Sequence, residues 1–311
     1  MTGGAAGPRP PATLYLVDAS LYVFRAWHSL PPDLHGADGW PTNAVHGFAR
    51  FLLELLERTR PQHIALAFDE ALDSCFRNQL YPAYKANREP APEALRRQFA
   101  HCQALCRALG LEVLADPAYE ADDLIGSACV QLRGHGFRSV LVSADKDLSQ
   151  LLGEHDEQWD FARGQRWDAA GVPERHGVEA RQVADFLALA GDAVDNIPGV
   201  PGIGAKTAAS LLAHFGTLDA LLERVEEIPF LRLRGAARCA QQLREHHAQA
   251  RLCRELATIA CDAPLPALDG RFRRGNGDPD ALWEVCEAMR FGPMTRRRLH
   301  EAAGLEFAPA A

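Results

Sequence analysis

Nine carboxylates stand in five short clusters along this chain. They are Asp18 after the apolar run LYLV, Asp69 after IALAF, Glu120, Asp122 and Asp123 in YEADD, Asp145 and Asp147 in VLVSADKD, and Asp192 and Asp195 in GDAVDNIPG. Three of the clusters directly follow a strand-like run. Crowded acids raise one another's pKa and stay ionised only when cations sit among them. Hard divalent ions take oxygen ligands, so the array predicts a divalent-metal site. Asp145 and Asp147 lie two apart, where one short turn can aim both at one ion. Glu120 and Asp123 share a helix face at i, i+3. Acids at a helix N-terminus also complement its dipole, which accounts for any single cluster equally well. It does not account for five clusters converging. Two oxygen-ligated ions about 3.5–4 Å apart would activate water and stabilise the leaving oxygen in phosphodiester hydrolysis.

Two further segments carry chemistry. NIPGVPGIGAKT (196–207) nearly spells a phosphate loop, but Ala205 displaces Lys206 by one position and no strand precedes it, which argues against an ATP site. Two helices joined by the hairpin Gly202-Ile203-Gly204 fit better. Its backbone N–H groups and the following helix start would meet a nucleic-acid phosphate, with Lys206 adding a point charge. In CFRNQLYPAYKANR (75–88), the cations Arg77, Lys85 and Arg88 alternate with Tyr81 and Tyr84, a pattern suited to single-stranded nucleic acid, although solvated loops share it. Arg25, seven residues after Asp18, would point into the same crevice or cap a surface. The twelve histidines include no HExxH motif. Ser20 stands where a haloacid-dehalogenase-type phosphatase needs a second aspartate.

These side chains need a frame. Short apolar runs at 13–18, 62–69, 111–115 and 138–143 read as buried parallel strands. Helical spacing lies between them, over 42–59 with a Thr/Asn cap, over about 93–109, and in the segments that open with EADD and DKD. Alternation of this kind predicts a right-handed, doubly wound α/β domain with a mostly parallel sheet. In such a sheet, residues just past the strands' carboxyl ends converge on one crevice. The proline-bearing stretch 81–92 reads as an excursion above the sheet. Only helical periodicity follows from 178. The expected organisation is a tail (1–12), an α/β core (13–177) with an arch near 78–100, a helical domain (178–262) with the hairpin 199–206, and a connector with a last helical piece (263–311).

Composition bounds the rest. The 311 residues are 47% hydrophobic and 24% charged, ordinary for a globular protein. No apolar run approaches a membrane span. Eight cysteines without CxxC spacing and no export signal predict a cytoplasmic protein with reduced thiols. The net charge of −8 does not exclude nucleic acid, because bound cations offset the clustered acids and binding depends on local patches. Among 33 basic residues only Lys85, Lys146 and Lys206 are lysines, and each lies in a segment singled out above.

The motifs LVDASLYVFRAWHSLP, FDEALDSCFRNQLYPAYKANR, YEADDLIG, LVSADKDLSQLL and DFLALAGDAVDNIPGVPGIGAKTAASLL run in order over 13–262. In this they resemble the bacterial 5′→3′ exonucleases and flap endonucleases, the group that includes the N-terminal nuclease domain of DNA polymerase I. With no polymerase segment following, the free-standing members are the nearer likeness. The resemblance implies a PIN-like 5′ nuclease core and a helix-three-turn-helix DNA-binding domain. It also implies two Mg²⁺ or Mn²⁺ ions. One would be held by Asp18, Asp69, Glu120 and Asp122, the other by Asp145, Asp147, Asp192 and Asp195, with Asp123 at the edge of either shell. Arg25, Lys85 and Arg88 would contact the scissile phosphate, and Tyr84 would sit at the threading arch. Arg77, Gly202, Gly204, Lys206 and Thr207 are expected to meet DNA. Backbone at Val200 and Ile203 would hold K⁺. The expected substrate is DNA with a 5′ flap or 5′ single-stranded end, with a DNA polymerase or sliding clamp as a partner. The chain departs from the family pattern at Ala71 and over 263–311. Two other readings remain at this point, a non-catalytic DNA-structure-binding protein and a PIN-type ribonuclease.

Overall fold

The computed structural model describes residues 11–70, 75–266, 270 and 272–306. The expected tail before residue 11 and the departure at Ala71 lie outside them. Six strands form one sheet: β1 (Ala12–Asp18), β2 (His63–Asp69), β3 (Glu112–Asp116), β4 (Phe137–Val142), β5 (Glu157–Asp160) and β6 (Gln165–Asp168). Their order is β3-β2-β1-β4-β5-β6, parallel throughout except for the β5–β6 pair. The chain moves outward from β1 to β2 and β3, then returns to add β4 on β1's other side. The β1–β4 junction is therefore the topological switch point, where an open α/β sheet leaves a crevice.

Helices α1 (Ala19–Ser29), α2 (Asn43–Thr59), α3 (Phe76–Leu80), α4 (Glu93–Ala108) and α5 (Ala121–Arg133) alternate with the first four strands. Val17, Ile64, Leu66, Phe68, Val140 and Trp159 bury one sheet face against α1, α2 and α4. Leu14, Leu16, Ala65, Ala67 and Leu141 bury the other against Leu124, Ile125 and Ala128 of α5. The amino end of α2 departs from the expected cap. Thr42 makes no side-chain cap bond, and Gln98 of α4 accepts from the N–H groups of Ala44 and Val45 at 2.7 and 3.2 Å. A tertiary contact thus takes over a local role.

Beyond the sheet come α6 (Val172–His176), α7 (Val183–Ala190), α8 (Ala205–Phe215), α9 (Leu218–Glu223), α10 (Ala236–Glu245) and α11 (His247–Ala257). Their apolar faces join the cluster on the α5 side. The last helical piece is two helices, α12 (Pro279–Ala288) and α13 (Pro293–Ala302), interrupted at Phe291-Gly292. Both return to the α2/α4 side, where Leu282, Met289 and Leu299 are buried. Gly110, at φ +71°, lets this returning chain come close: a Cβ there would lie 2.6 Å from the Asn276 carbonyl oxygen.

Two sequence expectations shift. The DKDLSQLL segment is a 3₁₀ turn over Asp147–Leu151. The short, polar β5–β6 hairpin lacked an apolar run to announce it. Its only buried apolar side chains are Trp159 and Trp167, beside the buried polar Gln158 and Asp160, and the guanidinium of Arg166 lies 3.8 Å above the Trp159 ring. All eight cysteines are free. No described helix is long and apolar enough to cross a membrane.

Candidate metal and nucleic-acid site

The carboxyl ends of three parallel strands carry the first acids. Asp18 ends β1 and caps α1, accepting from Leu21 N at 3.1 Å. Ser143, just past β4, donates to Asp18 Oδ2 at 2.8 Å and accepts from Asp145 N at 3.0 Å. The two central strand ends are thereby tied together. Asp145 Oδ1 accepts from Asp147 N at 2.9 Å, which closes the turn that carries both acids. Asp69 ends β2, where its N–H is held by Ser20 Oγ at 2.8 Å and its carboxylate accepts from Ala121 N at 2.8 Å. That last bond brings the start of α5, with Glu120 and Asp122, over the same strand ends.

Mutual repulsion and burial leave clear marks on these acids. Burial and the nearby Asp69 push Asp18 up to about 7. Burial and Asp145 push Asp147 up to about 8. Asp122 is driven well above the carboxylate range by burial, then by Asp145, Asp18 and Asp69. Burial, with Glu120, raises Asp69. Burial also raises Asp195, against the pull of Lys85 and Arg88. Glu120 and Asp192 go the other way. Burial would raise both, but Lys85 and Arg77 hold Glu120 low, and Lys146 does the same for Asp192.

Among the described residues, no three potential ligands close on a common point. Basic side chains intervene instead. Lys85 Nζ pairs with Glu120 and lies 3.8 Å from Asp195, Arg88 Nη2 meets Asp195 Oδ1 at 2.6 Å, and Lys146 pairs with Asp192. One oxygen is left over: Asp147 Oδ1 is buried without a hydrogen-bond partner. An unpaired buried carboxylate oxygen among acids of raised pKa is a site suited to a cation.

Three expectations for individual residues change. Arg77 is only 3% exposed and is committed to Asp123, Glu120 and the carbonyls of Leu256 and Thr258, so it is not available to DNA. Asp123 is fully buried. Its two oxygens accept from Arg77, from Glu120 N at 3.0 Å and from Ala260 N at 2.8 Å, leaving no lone pair aimed at an ion. Tyr84 is 3% exposed and its hydroxyl donates toward Glu120 and Asp195 at 3.0 and 3.2 Å, which removes its ring from any stacking surface. Arg25 is exposed on α1 and lines a cleft with Arg50, Glu54 and Phe161. Among the described residues no ion pair links it to the acids.

Beside the acids, a cleft of about 960 Å³ is lined by Trp27, Asp69, Lys85, Arg88, Pro92 and Glu120 among others. Several supporting residues carried no sequence signal as part of a site. Gln158, on the unexpected β5, donates to the carbonyls of Ser143 and Asp145 and fixes that turn. Asn87 and Asn196 bind across to neighbouring backbone. Only its place right after an apolar run could have flagged Ser143.

The loop after α7 leads from the acids to the hairpin. Asp192 and Ile197 exchange two backbone bonds of 2.8 Å, closing the loop that carries Asp195. Val200 and Ile203 anchor the hairpin with buried side chains, while Lys206 is exposed and Thr207 half-buried. Gly199 is required by packing, since a Cβ would lie 2.4 Å from Gly191 N. Gly202 and Gly204 face open space, and Gly204, at φ −92°, needs no glycine for its backbone. Helix α8 starts there with no side-chain cap on its N–H groups. A bare, uncapped helix start of this kind attracts anions.

Two family models match the chain: the 5′-3′ exonuclease N-terminal resolvase-like domain over residues 13–177 and the 5′-3′ exonuclease C-terminal SAM fold over 178–279. A DNA polymerase I of Rhizobium leguminosarum is 38% identical over 292 residues, and one of Pseudomonas aeruginosa is 39% identical over 292. These alignments cover 91% and 94% of this chain but 28% and 32% of the relatives, so the chain spans about a third of their length. Among solved structures, a T5 5′-exonuclease with bound zinc superposes with a TM-score of 0.64 at 21% identity, covering 94% of this chain and 99% of that one. The catalytic core of Rad2 in complex with DNA substrate gives 0.61 at 16%, covering 94% and 92%. At such identities the likeness is one of fold.

Proposed function

The chain belongs to the 5′-3′ exonuclease family, and from that premise we propose that it is a divalent-metal-dependent, structure-specific 5′ nuclease acting on DNA. The observation that carries this reading is the set of mutually raised acids at the ends of β1 and β2, in the turn after β4 and at the start of α5, together with the unpaired Asp147 Oδ1. An all-oxygen donor set suits Mg²⁺ or Mn²⁺ better than zinc, which favours nitrogen and sulfur. Asp18, Asp69, Glu120 and Asp122 would hold one ion, and Asp145, Asp147, Asp192 and Asp195 a second. When bound, the ions supply activation of water and charge neutralisation at the phosphate.

The chain's own residues do the rest. Lys85 has its pKa raised despite burial, because Glu120 and Asp195 flank it, so it stays a cation. It stands at the rim of the acids, ready to neutralise charge as it develops on a phosphate oxygen. Arg88, half-exposed beside it, would take a neighbouring phosphate. Arg25 would meet the strand farther along α1. The residues up to 177 form the cutting unit. Residues 178–262 hold the duplex through the uncapped start of α8, with Lys206 and Thr207 on phosphate. A K⁺ ion on the carbonyls of Val200 and Ile203 would firm that grip. The substrate is a 5′ flap or 5′ single-stranded end, of the kind handled beside a DNA polymerase or sliding clamp.

The test is to incubate the protein with labelled 5′-flap DNA and matched RNA, in Mg²⁺ and in chelator. Metal-dependent DNA products are expected. Binding without any cleavage would return the chain to a DNA-structure-binding role, and cleavage of RNA alone would make it a ribonuclease.

A further inference from the structure

The ammonium of Lys85 hangs from an unusual backbone. Lys85 has φ +54°, in the left-handed region that a lysine side chain does nothing to favour. Asn196, across the crevice, has φ +56°, and asparagine tolerates that region better than most residues. Two bonds join the segments that carry them. Asn196 Nδ2 donates to the Ala83 carbonyl at 2.6 Å, and Lys85 N donates to the Asp195 carbonyl at 3.0 Å. Farther along, Asn87 Nδ2 donates to the Ala193 carbonyl at 2.9 Å. The arm is thus held on both sides of Lys85 to the loop that carries Asp192 and Asp195. Within the arm turn bonds act, such as Ala86 N to the Ala83 carbonyl at 3.1 Å and Arg88 N to the Lys85 carbonyl at 3.0 Å, and Asn78 Nδ2 of α3 donates to the Tyr84 carbonyl at 2.9 Å.

We propose that Asn196 is a positioning residue for Lys85. Its left-handed backbone aims the side-chain amide at Ala83 and docks the 82–88 arm on the acidic loop. That docking fixes where the Lys85 ammonium stands between Glu120 and Asp195. A misplacement of about 1 Å in such a group costs on the order of a hundredfold in rate, which is why a non-contacting amide would matter. The inference rests on the nuclease reading, but the docking itself is a property of the DNA-free chain.

Asn196→Gly keeps the positive φ and deletes the amide, and Asn87→Ala removes the second tie. For each variant of the full chain, hydrogen exchange is measured in the DNA-free protein, and kcat and KM on 5′-flap DNA with Mg²⁺. Asn196→Gly should exchange faster at the 82–88 amides with α5 unchanged. Its kcat should fall roughly ten- to hundredfold, and its KM should stay within about twofold. Asn87→Ala should move the same quantities less far. Unchanged exchange over 82–88, or a kcat near that of the parent, overturns the proposal, and Asn87→Ala is read by the same criteria should Asn196→Gly fail to fold. A parent protein that cleaves nothing would sink the nuclease reading instead, with the exchange data still deciding the docking.

Discussion

Arg77 and Asp123 form a two-bond ion pair sealed from water. Nη2 meets Oδ1 and Nη1 meets Oδ2, each at 2.7 Å, with the side chains 3% and 0% exposed. The same guanidinium reaches Glu120 and the carbonyls of Leu256 and Thr258. Through one residue, α3, the start of α5 and the end of α11 are held in register, and a carboxylate of the crevice is oriented.

Removing one partner of such a pair leaves the other charge buried and unpaired. Arg77→Met should therefore destabilise the protein by about 3–5 kcal/mol, read as a large drop in thermal midpoint. If Arg77 met DNA instead, the variant would keep its midpoint and lose affinity.

The sheet and the site's centre were legible in the sequence for one reason: buried parallel strands are continuous apolar runs, and acids placed directly after them fall at the strand ends by topology. Asp18, Asp69 and Asp145 could be placed that way. What was not legible depends on partners distant in sequence. Arg77 and Tyr84 look like a DNA-stacking arm in one dimension, and only folding shows that Asp123, Glu120 and Asp195 occupy them. Gln98, which caps α2, and Gln158, which holds the Asp145 turn, are polar residues with no local pattern to mark them.

The raised acids set a pH dependence. Asp18 at about 7 and Asp147 at about 8 bind protons more tightly in the folded, metal-free protein than in the unfolded chain, where the ordinary value is 3.8. The folded state then holds more protons between about pH 4 and 8, so stability falls as pH rises through that window. Glu120 and Asp192 have the opposite sign, but their depressed pKa values act below their ordinary 4.5 and 3.8. In chelator the thermal midpoint should decline from pH 5 toward pH 8. Saturating Mn²⁺ should restore it most at the high end, where the acids have shed the protons that compete with metal. A midpoint in chelator that climbs with pH would contradict the assignment.

Asp122→Asn separates stability from activity. Burial and three neighbouring acids already favour the neutral form of Asp122, and an amide mimics it without a proton. The variant should melt at or above the parent's midpoint in chelator, show a smaller midpoint rise on adding Mn²⁺, and lose cleavage. Asp145→Ala should likewise abolish cleavage while sparing duplex binding. A metal-induced rise equal to the parent's in Asp122→Asn would exclude that carboxylate from the ion's shell.

The hairpin gives the cleanest test of DNA contact, because packing asks nothing of its outward positions. A Cβ at Gly204 meets no atom within 4 Å, and its φ of −92° suits any residue, so Gly204→Ala should leave the thermal midpoint unchanged or slightly raised. If the uncapped start of α8 grips a phosphate, that methyl stands in the way and duplex affinity should fall several-fold. Lys206→Ala, also exposed, should weaken binding equally across sequences and reduce the slope of log K against log salt by about 1. The two losses should appear with duplex substrates and be small with single strands, as measured by anisotropy at several salt concentrations. Equal losses on single strands would move the hairpin off the duplex, and an undiminished salt slope in Lys206→Ala would take its charge off the phosphate.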